Sequence, residues 1–154
     1  MWRIEVSLLP EFTDSAGNGA LSDIKEDLLI KSVESVKFVD VYLLEAKLDE
    51  KKVKEIAEKL LIDPITQEFK INSEFFRGFD WAIEVSLHKN VTDNVGMTAE
   101  EGIEDIIGKK FEGSVRTARK YLLKGNLKED EVKRICTDLL ANEIIENYSY
   151  KKLD

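Results

Sequence analysis

The chain has little of what most enzyme chemistry needs. It holds one cysteine and one histidine in 154 residues, so no internal disulfide closes and no Cys/His zinc set exists. His88 follows a strand-like run with no ligand-spaced partner, and Cys136 occupies an apolar stripe, the place of a small core residue rather than a nucleophile. No GxGxxG, Walker, GxSxG or HExxH pattern occurs. The reading is therefore no catalytic residue, no metal and no cofactor. No apolar run is long enough to span a bilayer, and Met1-Trp2-Arg3-Ile4-Glu5 lacks the zones of a signal peptide. A reducing, soluble compartment is expected, the cytoplasm by default. A formal charge of −8 argues against nucleic-acid or membrane partners.

What is present is a repeat. Trp2-Arg3-Ile4-Glu5-Val6-Ser7-Leu8 returns 79 residues later as Trp81-Ala82-Ile83-Glu84-Val85-Ser86-Leu87. The register continues ungapped through Thr13-Asp14…Gly17 and Thr92-Asp93…Gly96, then Tyr42-Leu43-Leu44 and Tyr121-Leu122-Leu123, then Leu60-Leu61 and Leu139-Leu140. A unit this long is a small fold with its own core, not a solenoid repeat. Two fused copies suggest a covalent version of a two-fold homodimer.

Trp2 to Leu8 alternates as a half-buried strand. Thr13 to Gly19 reads as turn, and Leu21, Ile24 and Leu28 predict a helix from about Gly19 to Ile30. Val36 to Leu48 is β-rich and too long for one typical strand, so two short strands turning near Val39-Asp40 are expected. Asp49 is a good N-cap for a helix carrying Val53, Ile56, Ala57, Leu60 and Leu61. Asp63-Pro64 ends it, and a strand to Ile71 follows. The second half repeats this order, with a strand pair over about Ser114 to Leu127.

The fold class is thus α+β: two tandem ferredoxin-like βαββαβ units forming a pseudo-two-fold pair, with antiparallel sheets and helices on one face. The bare face of each sheet is expected to be buried by the other sheet. The division is repeat 1 over 1–72, an aromatic-rich linker over 73–80, and repeat 2 over 81–154. Phe75, Phe76 and Phe79 in that linker are expected to lie pinned against the surface, because three aromatics in a free tether would be costly.

Two features are candidates for partner contact. In Thr13-Asp14-x-x-Gly17 and Thr92-Asp93-x-x-Gly96, Asp and Thr can bond nearby amides and Gly can adopt φ > 0, so a shaped loop is the plain reading and a partner-binding loop the functional one. Arg116, Arg119, Lys120 and Lys124 form a basic strip found only in the second half, either a solvated strand face that resists edge pairing or a docking point for a partner or phosphate.

The passages from Ala57 to Phe69 and from Cys136 to Tyr148 resemble the C-x-x-L-L-A-N-P-x-I-E-x-Y ending of the PurS subunit of phosphoribosylformylglycinamidine synthase, and Asp14…Gly17 and Asp93…Gly96 match that family's D-x-x-G loop. Each half is similar to one PurS chain, and the tandem form looks like the N-terminal region of the fused, large form of that enzyme. The family's proline is kept at Pro64 and is Glu143 in the second half. The resemblance implies a non-catalytic assembly module of an ATP- and glutamine-dependent ligase in purine biosynthesis, bridging a PurQ-type glutaminase and a PurL-type synthetase for ammonia transfer. It fits a stand-alone double PurS and the N-terminal domain of a fused synthase equally. From another class, paired βαββαβ units also build amino-acid-sensing ACT domains, so a small-molecule regulatory module is the alternative.

Overall fold

A computed structural model describes all residues, Met1–Asp154. Alternation places the strands as the pattern requires. In β1 (Trp2–Leu8) and β4 (Trp81–Leu87), Ile4, Val6, Ile83 and Val85 are buried. β1 is antiparallel to β2 (Val33–Glu45) and to β3 (Gln67–Ile71), with Ile4 opposite Tyr42 on one side and Ile71 on the other. β4 pairs in the same sense with β6 (Glu146–Lys152), Ile83 facing Tyr150.

The expected strand pairs are single long strands. β2 runs 13 residues and β5 (Ser114–Gly125) runs 12. A two-residue hairpin turn needs positive φ, and neither Val39 nor Asp40 adopts it. Each long strand instead serves two cores. Val33 and Val36 enter one and Leu44 the other, and likewise Leu123 and Val115. All six strands are hydrogen-bonded neighbours in one sheet, ordered β3-β1-β2-β5-β4-β6.

Two compact units result, and they are not the two repeats. The first comprises Met1–Phe12, Asp40–Phe75 and Thr92–Ala118; the second comprises Thr13–Val39, Phe76–Val91 and Arg119–Asp154. The first holds α2 (Glu50–Ile56) and α3 (Asn94–Ile107), and its core joins Ile4, Val6 and Leu44 to Val53, Ile56 and Ile103. The second holds α1 (Ser15–Glu26) and α4 (Glu129–Ile135), and its core joins Ile83, Val85 and Leu123 to Ile24, Val132 and Ile135. In each unit both helices therefore cover the same strand face. The architecture is α+β, two βαββαβ-like units in which one long strand stands where two were expected. Each unit takes one helix from the other repeat.

Helix α1 begins four residues before the predicted Gly19, because Asp14 caps it and Gly17 packs inside it. α2 is capped as predicted, with Lys52 N–H donating to Asp49 Oδ1 at 2.8 Å. Both C-terminal helices then widen into π turns, Ala57–Leu61 and Cys136–Leu140. These close with Ile62 N–H on Ala57 O and Ala141 N–H on Cys136 O.

The connecting segment is held in both units. Phe75 is buried in the first unit, and its N–H donates to Glu5 Oε1 at 2.8 Å. In the second, Asp80 N–H donates to Leu123 O, and Gly125 N–H donates to Asp80 Oδ2. Phe76 remains exposed.

Candidate functional site

The two D-x-x-G loops are docking devices for helices. Gly17 N–H donates to Asp14 Oδ1 at 2.9 Å, and Phe38 N–H of β2 donates to Oδ2 at 2.9 Å. One carboxylate thereby caps α1 and ties it to a strand. The second copy repeats this: Gly96 N–H donates to Asp93 Oδ1 at 2.8 Å, while Thr117 N–H donates to Oδ2 at 2.7 Å and its hydroxyl joins the same carboxylate. Gly17 and Gly96 lie where a Cβ would be driven into a strand carbonyl, that of Val36 or of Val115. Asp and Gly are thus consumed internally in each copy, and Thr13 and Thr92 are the exposed members.

The basic strip is divided by strand alternation. Arg119 lies on the helix-covered face, where it donates to Leu140 O at 2.9 Å and pairs with Glu146 at 3.1 Å. It fastens the end of the π turn and the start of β6. Arg116, Lys120 and Lys124 lie on the opposite face. Lys120 is only 2% exposed, and β5 is a central strand, so the solvated edge-strand reading is corrected. Sequence reasoning took adjacent charges for one surface because it treated this stretch as a hairpin.

His88 Nε2 is 2.9 Å from Glu143 O, so the only histidine braces the loop before β6. Cys136 is fully buried, and burial pushes its thiol up to about 12. That removes the thiolate a nucleophile needs. No three His, Cys, Asp or Glu side chains stand close enough to hold a metal ion. No helix is long and apolar enough to cross a membrane.

Position 40 marks a divergence between the repeats. Asp40 occupies in β2 the place of Arg119 in β5. Burial raises its pKa above the usual 3.8, and burial together with Asp40 raises that of Tyr42. An acid with a raised folded pKa destabilises the fold while charged, and the penalty disappears as pH falls below its unfolded value. Asp40→Asn is expected to raise the melting temperature at neutral pH, with the gain vanishing in acid, and to lower the Tyr42 titration midpoint. Melting curves across pH and ultraviolet titration of tyrosinate check both.

These features define a duplicated antiparallel α+β module whose polar loop residues secure the fold. A family model described as "PurS: Phosphoribosylformylglycinamidine (FGAM) synthase" matches residues 1–74 and again 80–154, and the chain belongs to that family. Its role is accordingly in FGAM synthase and purine biosynthesis, as an accessory component associated with other subunits of that enzyme. A search of curated proteins finds no significant match.

Proposed function

We propose that the chain is a non-catalytic assembly module that bridges the PurQ-type glutaminase and PurL-type synthetase parts of FGAM synthase, so that ammonia released from glutamine reaches the ATP-dependent ligation without loss. The observation that carries this reading is the double family match: two copies in one chain, residues 1–74 and 80–154, supply what a subunit pair would. In this reading repeat 1 (1–72) and repeat 2 (81–154), joined by 73–80, act together in the cytoplasm. Among the loop residues, contact with the partners falls to exposed Thr13 and Thr92, shaped by Asp14, Gly17, Asp93 and Gly96. Arg116 is assigned to contact as well, whereas Arg119 is occupied in holding β6. The amino-acid-sensing alternative receives no support from the family match.

The test is synthase activity reconstituted from purified synthetase and glutaminase, with and without this chain. The glutamine-driven reaction is expected to depend on the chain and the ammonia-driven reaction to proceed without it. Equal glutamine-driven rates in both mixtures would sink the bridging role.

A further inference from the structure

The two repeats diverge at the first turns of their exchanged helices. α1 opens Ser15-Ala16-Gly17-Asn18-Gly19-Ala20, and α3 opens Asn94-Val95-Gly96-Met97-Thr98-Ala99. The large apolar residues of the second version point outward, Val95 being 60% exposed and Met97 51%. Neither contributes to a core, so fold stability does not call for them.

Val95 borders a groove of about 340 Å³ within the first unit, whose other walls are Tyr42, the π-turn residues Leu60 and Leu61, Asn94, Thr98 and Ala99. The geometry has a local cause. The π turn carries Leu60 toward α3, where the bare backbone of Gly102 receives it; a Cβ there would meet the Leu60 side chain. α3 therefore closes on Leu60 at Gly102 and leaves the space beside Asn94 and Thr98 open.

The surroundings are acidic. The first unit holds 17 of the 31 acidic side chains and 10 of the 23 basic ones, a formal charge of −7, against 14 and 13 in the second, a charge of −1. α3 carries Glu100, Glu101, Glu104 and Asp105 and no basic residue. Glu100 and Glu104 accept backbone N–H bonds from Val115 and Phe111. Glu101 and Asp105 stand exposed and continue the helix face of Thr98 at i+3 and i+7. Acids in the last turn oppose the helix dipole, so Asp105 is not there to stabilise α3.

We propose that this groove is a docking site for a basic amphipathic segment of a partner protein, which seats an apolar side chain against Leu61 and Val95 and sets Lys or Arg against Glu101 and Asp105. An apolar trough whose α3 wall continues into exposed Glu101 and Asp105 is the complement of such a segment. The inference rests on the bridging role for the partner's identity, as one part of the synthase, and on the first unit alone for the groove.

The test uses the full chain and a labelled peptide with Leu at helical spacing and Lys elsewhere. Its variants are Val95→Asp, the equivalent Ala16→Asp, and Glu101→Lys combined with Asp105→Lys. Val95→Asp is expected to weaken peptide binding about tenfold or more despite its added negative charge, a change of about 1.4 kcal/mol. Ala16→Asp, which adds the same charge, is expected to leave it unchanged. The double lysine variant is expected to weaken it and flatten its salt dependence. Equal effects of the two Asp variants, or equal binding of a Glu-for-Lys peptide, would overturn the proposal. So would equally tight binding of an uncharged amphiphile, which would make this a small-molecule pocket. In the reconstituted synthase, Val95→Asp is expected to lower the glutamine-driven rate alone. If wild type is required there and Val95→Asp replaces it fully, the groove proposal fails and the bridging role stands. If the chain is dispensable while the peptide results hold, the groove stands and the bridging role fails.

Discussion

Gly17→Ala is expected to destabilise the protein by about 3 kcal/mol, while Gly19→Ala, two residues along the same helix, is expected to stabilise it by about 0.5–1 kcal/mol. A Cβ at Gly17 would be driven into Val36 O and into the Asp14 carboxylate, whereas one at Gly19 meets nothing within 4 Å. Accommodating the first requires α1 to lift from β2. That loosens the bond from Phe38 N–H to Asp14 and uncovers Ile24, which is fully buried. The second removes only backbone freedom from the unfolded chain. Gly96→Ala is expected to match Gly17→Ala, because the carbonyl of Val115 blocks it in the same way. Urea midpoints of the three variants check this. If Gly17→Ala and Gly19→Ala shift the midpoint alike, α1 does not sit against β2 as described.

Glu5→Ala is expected to cost about 2–3 kcal/mol, from the loss of a buried acceptor for a backbone N–H and of the ion pair to Arg3. The Glu5 side chain is fully buried. Its Oε2 accepts from Arg3 Nε at 3.0 Å and Nη2 at 2.8 Å, and its Oε1 accepts from Phe75 N–H at 2.8 Å. Truncation leaves that N–H without its acceptor. Arg3 is partly exposed and lies 3.9 Å from Glu74, so solvent and that carboxylate limit the cost. Since Glu5 holds the connecting segment, Glu5→Ala is also expected to speed proteolysis within 73–80. Limited trypsinolysis at Arg77 measures this. An unchanged cleavage rate would show that Glu5 does not restrain the segment.

Local periodicity made much of this fold legible. β1 and β4 followed from strict alternation, and α2 and α4 from apolar stripes whose Leu60-Leu61 and Leu139-Leu140 pairs fell in register. What pattern reading missed was tertiary in origin. Gly17 and Gly19 looked like turn residues, yet Gly17 is there because a strand carbonyl passes close to the helix. The 13 residues of β2 looked like two strands because the run is too long for a typical one, whereas its length lets it enter two cores. The basic strip dissolved for the same reason, once Arg119 and Lys120 fell on opposite faces of one strand. The difference between Val95 and Ala16 was visible in the sequence, and it acquired meaning only when the π turn stood beside it.

The exchange of α1 and α3 between units also reaches into descent. α1 of the first repeat shares a core with β4 and α4 of the second, and α3 of the second shares one with β1 and α2 of the first. After the copies were joined, a change in Ile24 faced selection alongside Ile83 and Val132, across the repeat boundary, rather than alongside its own neighbours in sequence. Neither copy could then be lost or traded for a relative's without stripping a helix from both cores. Duplicates ordinarily gain licence to drift apart; these two are obliged to drift as a pair, and the places where they differ freely, such as the surface around Val95, are those that neither core constrains.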